Sequence, residues 1–186
     1  SLGNVLFDFR PLGDDLHLFL NLGGEYSTRS GTIDVPAYAA SNYTNGGEAN
    51  MYESHSYNRL LEAYMNNKVS LGALSMDITA GYSFQGWRNY SPSFANLSAN
   101  GDTISPANPF PQDTENALMS FYGRVNGNID NKYLLTATLR ADGSSRFSKE
   151  SRWGLFPSAA LGWNVLQEDF MADQQVFSSL KLRTGW

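Results

Sequence analysis

The stretch YLLTATLRADGSSRFSKESRWGLFPSAALGW, residues 133–163, decides the fold, and it reads as strand, polar loop, strand. Tyr133, Leu135, Ala137, Leu139 and Ala141 fall on one face of the first strand, and Thr136, Thr138, Arg140 and Asp142 on the other. A period of two belongs to a strand, whose successive side chains point to opposite faces. After the loop, Ala159, Leu161, Trp163 and Val165 alternate with Ser158, Ala160, Gly162 and Asn164. Each strand pairs an apolar face with a face of small polar residues, which suits water or another polar surface rather than a dry core.

Outward from this stretch the pattern recurs. Residues 74–84 are the cleanest strand: Leu74, Met76, Ile78, Ala80, Tyr82 and Phe84 alternate with Ser75, Asp77, Thr79, Gly81 and Ser83. Residues 118–129 place Met119, Phe121, Val125 and Ile129 on one face and Ser120, Tyr122, Arg124, Asn126 and Asn128 on the other. Leu16, Leu18, Leu20 and Leu22 alternate with His17, Phe19, Asn21 and Gly23, and short aromatic residues 4–10 precede them. Residues 59–69 read as a strand, although LLEAYM would also suit a helical turn. Turns are expected at 11–15, 70–73 and 130–132, and long polar loops at 27–56 and 85–117. Residues 166–179 form a medium connection with room for one helical turn, and 180–186 begin a last strand.

The expectation is an all-β chain of about eight antiparallel strands whose connections alternate short and long, as in a transmembrane β-barrel, with 166–179 the exception, too long for an ideal periplasmic turn. Composition agrees. At 186 residues one domain is expected. The formal net charge of −5 argues against a nucleic-acid surface. There are no cysteines, so no disulfide or thiolate metal site can form. No run of roughly 20 apolar residues offers a membrane helix, but a barrel strand needs only alternation. A soluble β-sandwich also alternates. The barrel is favoured because the polar faces carry Ser, Thr, Asn and Gly rather than Lys and Glu, and because Tyr82, Phe84, Trp87, Tyr133 and Trp163 sit near strand ends.

A series of blocks in order carries a family resemblance: Asp142, Gly143, Ser144, Ser145, Arg146 and Phe147, then Arg152, Trp153 and Gly154, then Phe156, Pro157 and Ser158, then Trp163, Glu168, Asp169 and Phe170, closing on residues 180–183, LKLR. This pattern resembles the SusC/RagA family of TonB-dependent outer-membrane transporters. The resemblance is dense from residue 121 to 183 and looser over 57–87. It implies that residues 1–186 are part of a larger barrel, that the family's plug domain lies outside them, and that no signal peptide is to be expected at Ser1. It further implies an outer-membrane location in a Gram-negative, Bacteroidota-type bacterium, import of oligosaccharides or, less often, peptides, a SusD-like surface lipoprotein as lid, and TonB acting through the plug. A passive porin and a soluble carbohydrate-binding module are the alternatives from other classes.

No catalytic residue, cofactor or metal ligand is expected. His17 and His55 have no second ligand at metal spacing. Asp14 and Asp15 stand in a Pro-Gly turn, where acids serve turn chemistry. Ser144 and Ser145 lack a nucleophile-elbow pattern. The 142–147 motif has two readings, a substrate contact or a structural clasp in which Asp142 and Gly143 make the turn, Arg146 pairs with a carboxylate and Phe147 packs. The clasp is favoured, because a motif serving a family with varied substrates holds the barrel rather than chooses the ligand. Arg124, Arg140, Lys181 and Arg183 are expected to face the lumen or plug. Tyr38, Tyr43, Tyr52, Trp87 and Tyr90 are expected as loop contacts to ligand, since flat rings beside amides and hydroxyls suit sugars and peptides.

Overall fold

The computed structural model describes residues 1–186. It contains ten strands: β1 (Leu2–Phe9), β2 (Leu16–Val35), β3 (Glu48–Leu71), β4 (Leu74–Ser91), β5 (Asn96–Leu97), β6 (Thr103–Ser105), β7 (Gln112–Ile129), β8 (Tyr133–Ser144), β9 (Trp153–Asn164) and β10 (Lys181–Gly185). Eight form one sheet in the order β1-β2-β3-β4-β7-β8-β9-β10, and β5 pairs with β6 as a separate ribbon. Helix is confined to single 3-10 turns at Tyr43–Asn45, Val165–Gln167 and Asp169–Met171. The expected all-β sheet is present, and LLEAYM lies within β3. The connections alternate short and long as far as β8, and the 165–180 connection is long where a short turn would continue the alternation.

The strands run further than the apolar alternation does. Residues 27–35 continue β2, 48–56 begin β3, 85–91 continue β4 and 112–117 begin β7, so the expected loops 27–56 and 85–117 shrink to 36–47 and 92–111. Polar side chains on both faces erase the period-two signal there, while cross-strand polar pairs keep the ladder together. Arg88 Nε donates to Asp113 Oδ1 at 2.8 Å, Arg59 Nη2 to Glu115 Oε1 at 3.0 Å and Asn58 Nδ2 to Glu25 Oε2 at 2.8 Å. β9 likewise starts at Trp153 rather than at Ala159.

The chain packs as two compact units: Ser1–Gly3 with Gly23–Arg59 and Gly86–Asn116, and Asn4–Leu22 with Leu60–Gln85 and Ala117–Trp186. In the second unit the antiparallel register fixes both faces. Phe121, Ala141 and Leu155 align, as do Val125, Ala137 and Ala159, and Leu135 with Leu161. This row is apolar and open: Phe121 is 50 %, Leu139 52 % and Leu155 63 % exposed. The opposite row aligns Ser120, Asp142 and Gly154, then Arg124, Thr138 and Ser158, then Asn126, Thr136 and Ala160. Ser120 is the most buried side chain at 1 %, and Val165 is the one buried apolar residue. Soluble sheets bury the apolar row; here the apolar row is open and the polar row is the more sheltered.

Turn chemistry sets the register. Asp130 and Asn131 take φ of 51° and 56°, and Lys132 N donates to Ile129 O at 2.9 Å. Two successive left-handed residues are what a tight hairpin between twisted strands requires, and Asp and Asn tolerate them. Pro157 is accommodated by the same register. Ala159 exchanges both backbone bonds with Trp186 at 2.8 Å, so residues 157 and 159 direct their backbone groups away from β8, and the missing N–H costs that ladder nothing.

One end of β8 and β9 is tied by a carboxylate. Glu168 Oε1 accepts from Tyr133 Oη at 2.6 Å and from Trp163 Nε1 at 2.9 Å, while Oε2 accepts from Lys132 Nζ at 3.2 Å. The Tyr133 hydroxyl, then the Trp163 indole and the Lys132 ammonium hold the Glu168 carboxyl below its ordinary range, against an opposing desolvation. A depressed carboxyl pKa contributes stability that is complete above the ordinary value of 4.5 and is lost as pH falls through the folded value.

Two predictions follow from this packing. Acid unfolding of the native protein, followed by intrinsic fluorescence, should steepen below pH 4.5; Glu168→Gln should flatten that limb, and an unchanged limb refutes the tie. Gly143→Val should cost about 1–3 kcal/mol in denaturant unfolding, the range for overpacking, because a Cβ at Gly143 would meet the Trp153 ring at 3.0 Å. Gly123→Ala, with nothing within 4 Å of its Cβ, serves as the neutral control.

Candidate functional site

The first unit carries the loops and most of the expected ligand contacts. Tyr38 and Tyr43 are in the 36–47 connection and strongly exposed, at 85 % and 71 %. Tyr52, Trp87 and Tyr90 are not loop residues: Tyr52 lies in β3, and Trp87 and Tyr90 in β4. Their ladders persist because rings and polar groups pack across strands. Tyr57 meets Tyr26 at 4.9 Å between centroids, Tyr26 stacks on His55 at 6.2 Å, and His55 stacks on Tyr90 at 6.1 Å. His55 Nδ1 lies 3.0 Å from Tyr26 Oη and its Nε2 lies 3.0 Å from Glu53 Oε1, so both ring nitrogens have partners within the sheet.

The 36–47 loop and the segment holding β5 and β6 are locked together. Glu48 accepts from Asn42 Nδ2 at 2.6 Å through one oxygen and from Asn50 Nδ2 through the other. Asn50 Oδ1 in turn accepts from Leu97 N at 2.9 Å, and Gly46 O accepts from Ala99 N at 3.2 Å. Ser98 is buried and its Oγ accepts from Asp102 N at 3.1 Å. Gly47, buried at φ +87°, is the pivot: a Cβ there would lie 2.7 Å from Ala99 Cβ and 2.8 Å from Ala37 N. Glycine is required by conformation and by space together. Sequence reading found the exposed tyrosines but missed this lock, whose signal is the Gly46-Gly47-Glu48 run beside Asn42 and Asn50.

In the second unit the residues of the 142–147 motif bond to neighbouring strands, in an arrangement that differs from the expected one. Asp142 and Gly143 belong to β8 and do not form the turn, which spans 145–152. Asp142 accepts from Arg140 Nε at 2.7 Å, and Arg140 Nη2 donates to Ser120 Oγ at 3.1 Å. Ser145 secures β7: its N donates to Ala117 O at 2.9 Å, and its Oγ accepts from Ala117 N at 2.8 Å. Ser144 N donates to Arg152 O at 2.9 Å, and its Oγ accepts from Arg146 N at 3.3 Å. Phe147 does not pack; it is 61 % exposed, because the 145–152 turn projects it off the sheet. Trp153 covers Gly143, and Phe156 covers Gly154, where a Cβ would meet its ring at 2.9 Å. Trp153 also stacks on Phe121 at 6.0 Å.

Arg140 and Arg124 share the polar face, as the register with Tyr122 and Thr138 requires. Lys181 and Arg183 align with Asn164 and Gly162 on that same face. Arg140 is neutralised by Asp142 and lies 5.9 Å above the Tyr122 ring; Arg124, Lys181 and Arg183 are exposed. His17 pairs with Asp8 at 3.1 Å, and Arg10 bridges Asp8 and Asp14, so Asp14 of the first turn joins an ion-pair cluster. No group of three or more His, Cys, Asp or Glu residues converges as a metal site.

Comparison with known proteins matches residues 2–186 to the family model described as TonB dependent receptor-like, beta-barrel. The TonB-dependent receptor SusC of Bacteroides thetaiotaomicron is 38% identical over 199 aligned positions, covering 100% of this chain and 19% of the relative. The TonB-dependent receptor P3 of Formosa agariphila is 34% identical over 153 positions, covering 76% of this chain and 15% of the relative. Among solved structures, the RagAB peptide transporter aligns with a TM-score of 0.81 at 17% identity, over 99% of this chain and 22% of that one. The chain thus spans between 15% and 22% of the length of these relatives. With an apolar row left open on an antiparallel sheet, a family model matched over residues 2–186 and likeness to part of SusC along the whole of this chain, the chain belongs to the TonB-dependent receptor β-barrel family.

Proposed function

We propose that the polypeptide carrying this chain imports oligosaccharides across the outer membrane of a Gram-negative, Bacteroidota-type bacterium. TonB supplies the drive through a plug outside these residues, and a SusD-like surface lipoprotein lids the mouth. This chain supplies wall strands and mouth loops and performs no bond-breaking step. The single observation that carries the reading is the inverted sheet, with Leu135, Leu139, Leu155 and Leu161 open and Ser120 buried. An open apolar row of this kind is stable against lipid, and lipid is the partner assigned to it. The polar face, with Arg124, Arg140, Lys181 and Arg183, is assigned to the lumen or the plug.

Capture is assigned to Tyr38 and Tyr43 on the locked loops, whose exposed rings offer flat faces for sugars. A lock that holds these loops in one arrangement lowers the ordering cost of binding. Peptide import is the second reading, supported by the fold likeness to the RagAB peptide transporter.

Three outcomes test this. Fractionation should place the polypeptide in the outer membrane, with a surface lipoprotein co-purifying in mild detergent; recovery from the soluble fraction overturns the reading. Leu139→Arg should destabilise the protein folded in lipid vesicles by about 2–4 kcal/mol, the cost of a cation facing lipid near the midplane; a loss below roughly 0.5 kcal/mol, typical of exposed aqueous sites, argues against a lipid-facing row. Gly47→Val and the Tyr38→Ala, Tyr43→Ala double variant should each weaken oligosaccharide binding by tenfold or more while the barrel still assembles. Unchanged affinity removes these loops from capture.

A further inference from the structure

A cavity of about 440 Å³ opens in the first unit, lined by Arg29, Tyr52, Glu53, Ser54, Ser91 and Phe94. Its chemistry differs from the surrounding surface in one respect. The other arginines of this unit are neutralised: Arg59 pairs with Glu115 at 3.0 Å and Arg88 with Asp113 at 2.6 Å. Arg29 is exposed and has no hydrogen-bond, ion-pair or ring partner. The one carboxylate in the lining, Glu53, is bonded to His55 Nε2 at 3.0 Å and forms no ion pair with Arg29.

The cavity also has a prepared ring. A Cβ at Gly31 would lie 2.7 Å from Tyr52 Cζ, so glycine at this position lets the Tyr52 ring lie against the β2 backbone. One side of the ring is backed by the strand, and the residue remains 43 % exposed. Ser54 and Ser91 add hydroxyls, and Phe94 adds a second ring. A planar guanidinium matches a carboxylate through two parallel N–H donors, and that geometry is specific to planar anions. A backed aromatic ring flanked by hydroxyls matches a pyranose.

We propose that this cavity binds a uronic acid unit of an acidic glycan. Arg29 takes the sugar carboxylate, Tyr52 the ring and Ser54 and Ser91 the ring hydroxyls. The assignment rests on the import reading above and narrows its substrate class to carboxylate-bearing sugars.

The test is a calorimetric titration of the full-length polypeptide in detergent with four probes: trigalacturonate, its methyl ester, maltotriose, and a tripeptide with a free C-terminus. Trigalacturonate should bind at least tenfold more tightly than its ester. Arg29→Gln should abolish that difference and leave ester binding unchanged, and Arg29→Lys should restore part of it. Raising the salt concentration should weaken the acid and spare the ester. If maltotriose binds and trigalacturonate does no better than its ester, the uronate site falls and glycan import stands. If only the tripeptide binds, both the uronate site and glycan import fall in favour of peptide import. If trigalacturonate binds more tightly than its ester but ignores Arg29→Gln, the site lies elsewhere and the proposal is overturned. Binding of none of the four overturns it as well.

Discussion

The period-two geometry of a β-strand imposes one constraint on which the rest of this structure depends: each residue commits its neighbour to the opposite face. Once Leu135, Leu139 and Leu161 point one way, Thr136, Thr138 and Arg140 must point the other. In this sheet the apolar set is open and the polar set is sheltered, with Ser120 buried where a soluble sheet would place a leucine. A slip of one residue would reverse both faces. The turn at Asp130 and Asn131 and the bonds of Ser145 to Ala117 therefore matter beyond their own energies, since they hold the register.

Glycine and aromatic residues act as pairs within that frame. Gly143 leaves room for Trp153, Gly154 for Phe156, and Gly31 for Tyr52. Gly81 does the same on the polar side, where the Tyr122 ring and the Tyr64 Cβ approach and the Tyr64 ring stacks on Phe19 at 4.7 Å. A ring laid over a glycine covers exposed backbone and fills the space a side chain would occupy. Within the 142–157 motif these pairs sit beside strand pairing and loop bonding. Glu168 closes the opposite end of β8 and β9 by collecting three donors on one carboxylate.

Cross-strand charge pairs explain why the first unit keeps its strands without an apolar row. Arg59 with Glu115, Arg88 with Asp113, and the run of rings from Tyr57 to Tyr90 supply contacts that alternation does not reveal. The paired arginines also set off Arg29, the one arginine of that unit without an ion-pair partner. The Glu48 amide cluster adds rigidity to the loops, so the exposed tyrosines stand on a fixed base.

Sequence by itself determined the strands of the second unit, the turn at 130–132 and the family. In these segments one face is apolar and the other polar, so the order of residues carries the geometry. It also determined which side of its own strand each of Arg124, Arg140, Lys181 and Arg183 takes, because parity along a strand is a local property; the register between strands puts the four on one face. Tertiary structure alone decided that 27–35, 48–56, 85–91 and 112–117 are strands, since their stabilising partners lie far away in sequence. It decided that Tyr52, Trp87 and Tyr90 stand on the wall, that Phe147 is exposed, and that Asp142 and Gly143 extend a strand. The lock at Gly47 and the cavity at Arg29 were likewise invisible in the sequence. Each depends on atoms from three separated segments meeting within a few ångströms, and no local pattern records that meeting.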